Sequence, residues 1–244
     1  MAELLLKKQS ASESARDYTY RMMKKNMLQM RFFPGEMLSE AAAANLLQVS
    51  RTPIHDTFAR LAQEKLVNVV AQKGTEVALI DPERVRQAVF VKGQLCEAVM
   101  QKLCEEGIAQ EVLFALETNQ KQQYFMLSGA QYDKIKALDS AFYRHCFVAC
   151  GQDKVWDVTQ SLCYDMDRTQ ALAGRTQAQW TQAVQAQEAL FHALCQRDAP
   201  MACAQAHSNI QQVLTLLPAL QIQYPNYFKE YSQNNREEPE WQLH

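Results

Sequence analysis

The 244-residue chain is poor in glycine and in proline, with seven of each. That excludes collagen-like and Pro/Gly-rich disordered classes, which need far more of both. It also lacks a dominant charge: 25 Lys and Arg stand against 27 Asp and Glu, for a net charge of −2. No run approaches the 18 or so uninterrupted apolar residues of a membrane span. The first residues, Met-Ala-Glu-Leu-Leu-Leu-Lys-Lys, carry only a three-leucine run where a secretory leader needs a longer apolar segment. A soluble, cytoplasmic protein with no membrane partner is expected. Disulfide frameworks are excluded too. The seven cysteines (Cys96, Cys104, Cys146, Cys150, Cys163, Cys195 and Cys203) are odd in number and contain no CxxC pair, so they read as reduced core residues.

Hydrophobic residues make up 48% of the chain, enough for one large or two modest cores. Charge divides unevenly along it. Residues 1–80 hold 11 Lys and Arg against 8 Asp and Glu, whereas residues 81–244 hold 14 against 19. The basic surplus is therefore N-terminal, and by itself it is a weak sign of a nucleic-acid partner.

Periodicity places a first helix within residues 12–30, where Tyr20, Met23, Met27 and Met30 fall at helical spacing. Phe33-Pro34-Gly35 breaks it. Ser39 restarts a short second helix through Leu47. Ser50 caps a third from Arg51 to about Lys65, with Pro53 tolerated in its first turn. The period then turns strand-like over residues 66–71 and 76–80, around a turn at Gln72-Lys73-Gly74-Thr75. Three helices and a hairpin make a winged helix-turn-helix over residues 1–80. Asp81-Pro82 closes that unit and opens a helix.

From residue 83 the sequence carries no strand pattern. Six stretches, 83–106, 109–127, 131–150, 153–173, 176–197 and 199–217, predict helices separated by Gly107, Gly129, Gly151, Gly174 and Asp198 with Pro200. The expected fold is mainly α, with an all-α antiparallel bundle over residues 81–223. Residues 224–244 form a polar tail, expected to be frayed or draped over the surface.

Three stretches together, Phe33-Pro34-Gly35 with Leu38-Ser39-Glu40, Val49-Ser50-Arg51-Thr52-Pro53-Ile54, and Lys73-Gly74-Thr75-Glu76-Val77, resemble the GntR superfamily of bacterial transcription regulators. The helical second half makes the chain similar to the FadR-type branch, whose C-terminal part is the FCD effector-binding and dimerisation domain. The resemblance implies a homodimeric regulator, usually a repressor, released from double-stranded operator DNA by a small metabolite. It also implies that Ser50, Arg51, Thr52 and His55 at the start of the third helix, with Lys73 and Gly74 at the wing tip, contact DNA. An arginine at such a helix end can pair bidentately with guanine in the major groove. His55 stands where the family usually has a second arginine, so operator preference should differ there. Lys24, Lys25, Arg31 and Arg60 are candidate phosphate contacts, with solvated surface charge as the alternative.

FCD domains usually hold a divalent metal on one aspartate and three histidines. In this chain Asp139 keeps the aspartate, while Tyr143, Gln187 and Asn209 occupy the three histidine positions. Neutral Tyr, Gln and Asn are poor transition-metal ligands, so no metal and no cofactor is expected. The same four residues, with Lys92 in place of a family arginine, become candidates to bind a small, anionic effector directly. An internal hydrogen-bond network filling the old metal cavity is the alternative for them.

Two rival readings stay open. His145 with Cys146 and Cys150, His192 with Cys195, and Cys203 with His207 could make a metal or redox sensor. The winged helix could also be an interaction module that has lost DNA binding, given His55 and the acidic Asp56 beside it. Enzymatic activity is not expected, because the chain has no Gly-rich phosphate loop, no G-x-S-x-G elbow and no H-E-x-x-H helix.

Overall fold

A computed structural model describes residues 4–6, 8–70 and 73–230. Ser14 opens α1 (Ala15–Leu28) by accepting the Asp17 N–H at 3.1 Å. Ser39 does the same for α2 (Glu40–Leu47) through the Ala42 N–H at 3.0 Å. Each cap satisfies a backbone donor that the helix cannot reach, worth about 1 kcal/mol. Ser50 precedes α3 (Arg51–Gln63) in extended geometry but makes no side-chain cap bond, so the hydroxyl expected to cap is left facing solvent.

The wing is a three-stranded antiparallel sheet, ordered β1-β3-β2. Its outer strands are β1 (Met37–Leu38) and β2 (Val67–Val70), and β3 (Gly74–Val77) lies between them. Val67 pairs with Val77 and Val70 with Gly74, while Met37 pairs with Glu76. The sequence reading missed β1, since two residues are too few to show alternation. Of the expected turn, Gln72 lies outside the described residues. Met22, Met23, Met27, Ile54, Phe58, Leu61, Leu66 and Val77 fill the core of this unit, each side chain worth about 1.5–3 kcal/mol when fully buried.

Asp81 accepts the N–H groups of Glu83 and Arg84 and caps α4 (Pro82–Glu106), with Pro82 at its first position. Six further helices follow among the described residues: α5 (Gln110–Ser128), α6 (Tyr132–Ala149), α7 (Asp153–Leu162), α8 (Tyr164–Ala173), α9 (Gln177–Gln196) and α10 (Ala199–Gln223). The long α4 packs chiefly on α10, and α5 packs on α6 and α9. Met100, Leu116, Phe142, Phe147, Leu190, Ile210 and Leu217 lie in their shared core.

Two departures from the sequence reading carry consequences. The single helix expected over residues 153–173 is two, broken at Cys163, whose φ of −90° and ψ of 4° are not helical. The break turns α8 so that Tyr164 joins the core of the winged helix and Asp165 and Arg168 reach the connecting segment. The last helix runs to Gln223 through Pro218 instead of ending at residue 217. An interior proline costs about 3 kcal/mol, and burial of Leu217 and Leu220 returns a comparable amount.

The segment joining the two units is gripped from both sides. Arg168, fully buried, donates to Ala78 O at 2.6 Å and Leu79 O at 3.2 Å. It pairs with Asp165, equally buried, which also accepts the Asp81 N–H at 3.3 Å and meets Arg84 at 3.2 Å. Burial pulls the Arg168 pKa down against the attraction of Asp165. The beginning of the polar tail is draped across the same segment. Ile80 donates to Tyr227 O and accepts from the Lys229 N–H, both at 2.9 Å, and Lys229 Nζ meets Asp81 at 3.1 Å. Residues 231–244 of the tail lie outside the described residues.

Candidate functional site

At the exposed face of the winged helix, Ser50, Arg51, Thr52 and His55 are all solvent-exposed along the first turns of α3, and Lys73 and Gly74 are exposed at the wing tip. What lies beneath fixes α3 in place. Thr19 and Thr57 share a buried hydrogen bond of 2.8 Å, and Thr19 also donates to Pro53 O at 3.3 Å, so the start of α3 is fastened to α1. Gly74 has φ +116°, and a Cβ there would meet Leu38 O at 3.3 Å. Only glycine takes that conformation freely while the wing tip closes on β1.

His55 Nδ1 lies 2.9 Å from Glu40 Oε1, and this carboxylate raises the imidazole pKa above the ordinary histidine value. Arg16 pairs with Asp56 at 2.7 Å. The acidic residue beside His55 is therefore neutralised from α1.

The four candidate phosphate contacts divide differently. Lys24 is mostly covered and pairs with Glu64 at 2.9 Å while donating to Tyr20 at 2.6 Å and to Tyr164 of α8. Arg60 stacks 3.5 Å from the centroid of the Tyr20 ring, and Arg31 lines an internal cavity. Lys24 is thus committed to the joint with α8 and Arg31 to the cavity, whereas Arg60 remains exposed beside Tyr20.

That cavity, of about 280 Å³, lies where α6, α9 and α10 meet the end of α8. Asp139 and Asn209 form part of its wall, with Tyr132, Lys136, Arg175 and Trp180, and Gln29 and Arg31 come from beyond the end of α1. Tyr132 and Trp180 stack with centroids 5.6 Å apart, and the Arg175 guanidinium lies 4.8 Å from the Trp180 ring. The other sequence candidates stand behind the wall. Gln187 donates to Asp139 Oδ1 at 2.6 Å, and Asn209 Nδ2 lies 3.5 Å from the Tyr143 hydroxyl. Lys92 is not on the wall; its ammonium lies 5.8 Å from the rings of both Tyr143 and Trp156.

Of these four positions, Gln187 and Tyr143 make internal bonds while Asp139 and Asn209 face the cavity. The internal network continues from Gln187 to Gln123, then Asn119, whose amide reaches Leu138 O at 2.9 Å. Asn119 and Gln123 were missed in the sequence because α5 is polar on more than one face. Lys136 had a usable signal, one helical turn before Asp139. For Arg175 and Trp180 there was none.

Burial raises the Asp139 pKa, opposed by the nearby charges of Lys92, Arg175 and Lys136. Burial likewise lowers that of Arg175, opposed by Asp139. The Lys92 ammonium is pulled down by burial, but Cys163, Cys96, Asp167 and Asp139 outweigh it and its pKa lies above the ordinary value. The site therefore combines cations with acceptors at the edge of an apolar wall.

A divalent metal does not fit this donor set. Asp139 already accepts from an amide, and the other three positions are neutral hydrogen-bonding groups; among the described residues no three His, Cys, Asp or Glu side chains are placed to hold a metal ion. Among the described residues the cysteine and histidine pairs build no three-ligand group either. Cys146 is buried while His145 is exposed and bonded to Ala141 O at 2.7 Å. His207 meets Glu97, and Cys203 lies 3.4 Å from the Glu97 carbonyl. Burial raises every cysteine pKa that departs from the ordinary value, with Cys96 pushed up to about 12 and Cys163 to about 11. Such thiols stay protonated and unreactive near neutrality.

Residues 16–77 match the family described as "Bacterial regulatory proteins, gntR family". The HTH-type transcriptional repressor RspR of Escherichia coli (strain K12) is 26% identical over 154 residues, 63% of this chain and 67% of the relative. An HTH-type transcriptional regulator in an unstable DNA locus of Streptomyces ambofaciens is 25% identical over 209 residues, 86% of this chain and 87% of its own. Residues 16–77 are thus similar to the helix-turn-helix unit of GntR-family transcription regulators. The solved structure of E. coli McbR/YncC has a similar fold, with a TM-score of 0.72 at 15% identity, covering 84% of this chain and 98% of its own. Both of these relatives are named as HTH-type transcription regulators. No described helix of the chain is long and apolar enough to cross a membrane.

Proposed function

We propose that the chain is a cytoplasmic, homodimeric regulator of the FadR type, acting as a repressor, whose hold on operator DNA is released by a small organic anion. Residues 1–80 form the DNA-binding domain, residues 81–223 an FCD-type effector and dimerisation domain, and residues 224–244 a tail. Ser50, Arg51, Thr52 and His55 meet the major groove, Arg51 by its fork on guanine, while Lys73 and Gly74 approach the backbone at the wing. The effector is held without metal in the cavity walled by Asp139 and Asn209, with Gln187 and Tyr143 orienting those two and Lys92 supplying positive potential from behind.

The observation that carries the DNA half is the uncovered start of α3 inside a winged helix, with Arg51 exposed at its tip. The effector half rests on the cavity, whose cations sit beside hydrogen-bond acceptors in the bundle. Two arrangements of the recognition helices, with the effector preferring one, would couple the sites.

The test begins with selection of bound duplexes from a random pool, followed by affinity at several salt concentrations. A regulator shows a steep loss of affinity with salt, because phosphate contacts release counterions. A flat salt dependence would support an interaction module instead. Elemental analysis of the same sample decides the metal question: stoichiometric zinc, nickel or manganese would sink direct effector binding.

A further inference from the structure

The short helix α2, packed against α3, contributes a single charged residue, Glu40, at its first position. Ser39 caps the helix there through the Ala42 N–H, and the helix dipole favours a carboxylate in the first turn. Glu40 therefore projects from a fixed base. Its Oε1 lies 2.9 Å from Nδ1 of His55, whose side chain is 72% exposed. Arg51 stands four residues before His55 on α3, so the two share one face of that helix.

The bond between Glu40 and His55 fixes more than a direction. A carboxylate only accepts, so Nδ1 carries the hydrogen of this bond whether the ring is charged or neutral. The other nitrogen, Nε2, is left to meet a ligand, and its role depends on the charge of the ring. In the imidazolium it donates; in the neutral ring it has a bare lone pair and accepts. Base edges in the major groove match that difference. Guanine presents the acceptors O6 and N7, cytosine presents the N4 amino donor, and adenine presents one of each and so discriminates least. The charged groups around the ring are few. Besides Glu40, Asp56 follows on α3 and is paired with Arg16 of α1 at 2.7 Å, and Arg51 lies one turn back. Glu40, and more weakly Asp56, hold the His55 pKa above the ordinary histidine value.

We propose that Glu40 and His55 act as one base-reading unit, in which Glu40 is the positioning residue and His55 Nε2 selects guanine when the ring is protonated and cytosine when it is neutral. The inference rests on the DNA-binding reading above, and it names the base met one turn beyond Arg51 and what changes that base. An arginine in place of His55 would donate at every pH. The Glu40–His55 pair reads two bases in turn. Choice of operator, as well as affinity for one operator, then depends on pH.

The experiment is selection of bound duplexes by the full chain from a random pool at about pH 6 and about pH 8.5, chosen to populate the two forms of the ring. Competition then compares duplexes that differ by exchange of one G·C pair for C·G. The exchange keeps length, charge and composition, so the general effect of pH on affinity cancels. At one position guanine is expected to be preferred roughly tenfold at the lower pH, as for one charge-assisted bond, and cytosine to be preferred at the higher. His55→Asn should remove the reversal. Glu40→Gln keeps the side-chain shape, removes the charge and lets either ring nitrogen carry the hydrogen, so it should weaken the reversal and move it to lower pH. If Glu40→Gln changes the affinity for both duplexes alike and leaves the crossover in place, the role given to Glu40 is overturned. Duplexes selected with salt-dependent affinity but with the same base preferences at both pH values would overturn the inference and leave the DNA-binding reading standing. If the chain selects no duplex, or binds with a flat salt dependence, that reading falls and this inference with it.

Discussion

The two ends of the winged helix treat charge in opposite ways. At the start of α3 and the wing tip, Arg51 and Lys73 are exposed, whereas at the face toward the bundle Lys24, Arg84 and Arg168 are paired and wholly or largely covered. Exposed charge contributes little to folding but is available to a polyanion. Covered charge is the reverse. It holds the joint between the units, and removing one partner strands the other in a poorly solvated place. Net basic charge over residues 1–80 therefore overstates the surface offered to DNA, because part of it belongs to the joint.

The largest effect should come from breaking the covered end. Asp165→Ala leaves Arg168 buried without its partner and is expected to cost about 3–5 kcal/mol, read as a large drop in the midpoint of chemical denaturation. A drop below about 1 kcal/mol would mean the joint is held by packing alone. At the exposed end, Arg51→Ala should cost about 1–3 kcal/mol of operator binding and relax the base preference at one position, with no change in melting temperature. Competition between matched and mismatched duplexes measures it.

Lys24 gives the sharpest contrast. Lys24→Ala should destabilise the fold by about 1–2 kcal/mol, since its bonds to Glu64, Tyr20 and Tyr164 are lost, and leave the salt slope of DNA binding unchanged. A slope lower by about one would make Lys24 a phosphate contact after all. His55 adds a pH dependence at the exposed end. Its pKa is raised above 6.5 by Glu40, so the protonated, paired form persists below that raised value and is lost as pH rises through it. Operator affinity should fall as pH rises through that raised value, and His55→Asn should flatten the profile; an unchanged profile would count against His55 at the DNA.

The smallest effect concerns backbone alone. Lys65 is exposed and has φ +61° where α3 ends, with its N–H on Ala62 O and the Leu66 N–H on Leu61 O. Lys65→Gly should stabilise by about 0.5–1 kcal/mol by removing the left-handed penalty, seen as a rise of about 1–4 °C in melting temperature.

The same kind of turn explains where helix ends were hard to place. Met30, Gln48, Lys65, Ala130 and Arg197 all take positive φ at helix ends without being glycine. Their conformation is imposed by the contacts on either side of them, so their residue type gives no warning. The break at Cys163 has the same origin: the periodicity runs through it, and only the reach of Asp165 and Arg168 toward the connecting segment shows why the helix turns there.

The amino-acid sequence determined by itself what depends on local order: Ser39 and Asp81 at helix starts, Gly74 at the wing tip, the hydrophobic periods of the helices, and the Val49-Ser50-Arg51-Thr52-Pro53-Ile54 run that carries the family resemblance. Those signals act over a few residues, within reach of the chain itself. The tertiary structure alone decided which polar groups share a space. Asp139 was legible as a candidate, but Arg31, Gln29, Arg175 and Trp180 are brought beside it from distant parts of the chain, and the cavity they share belongs to no single segment.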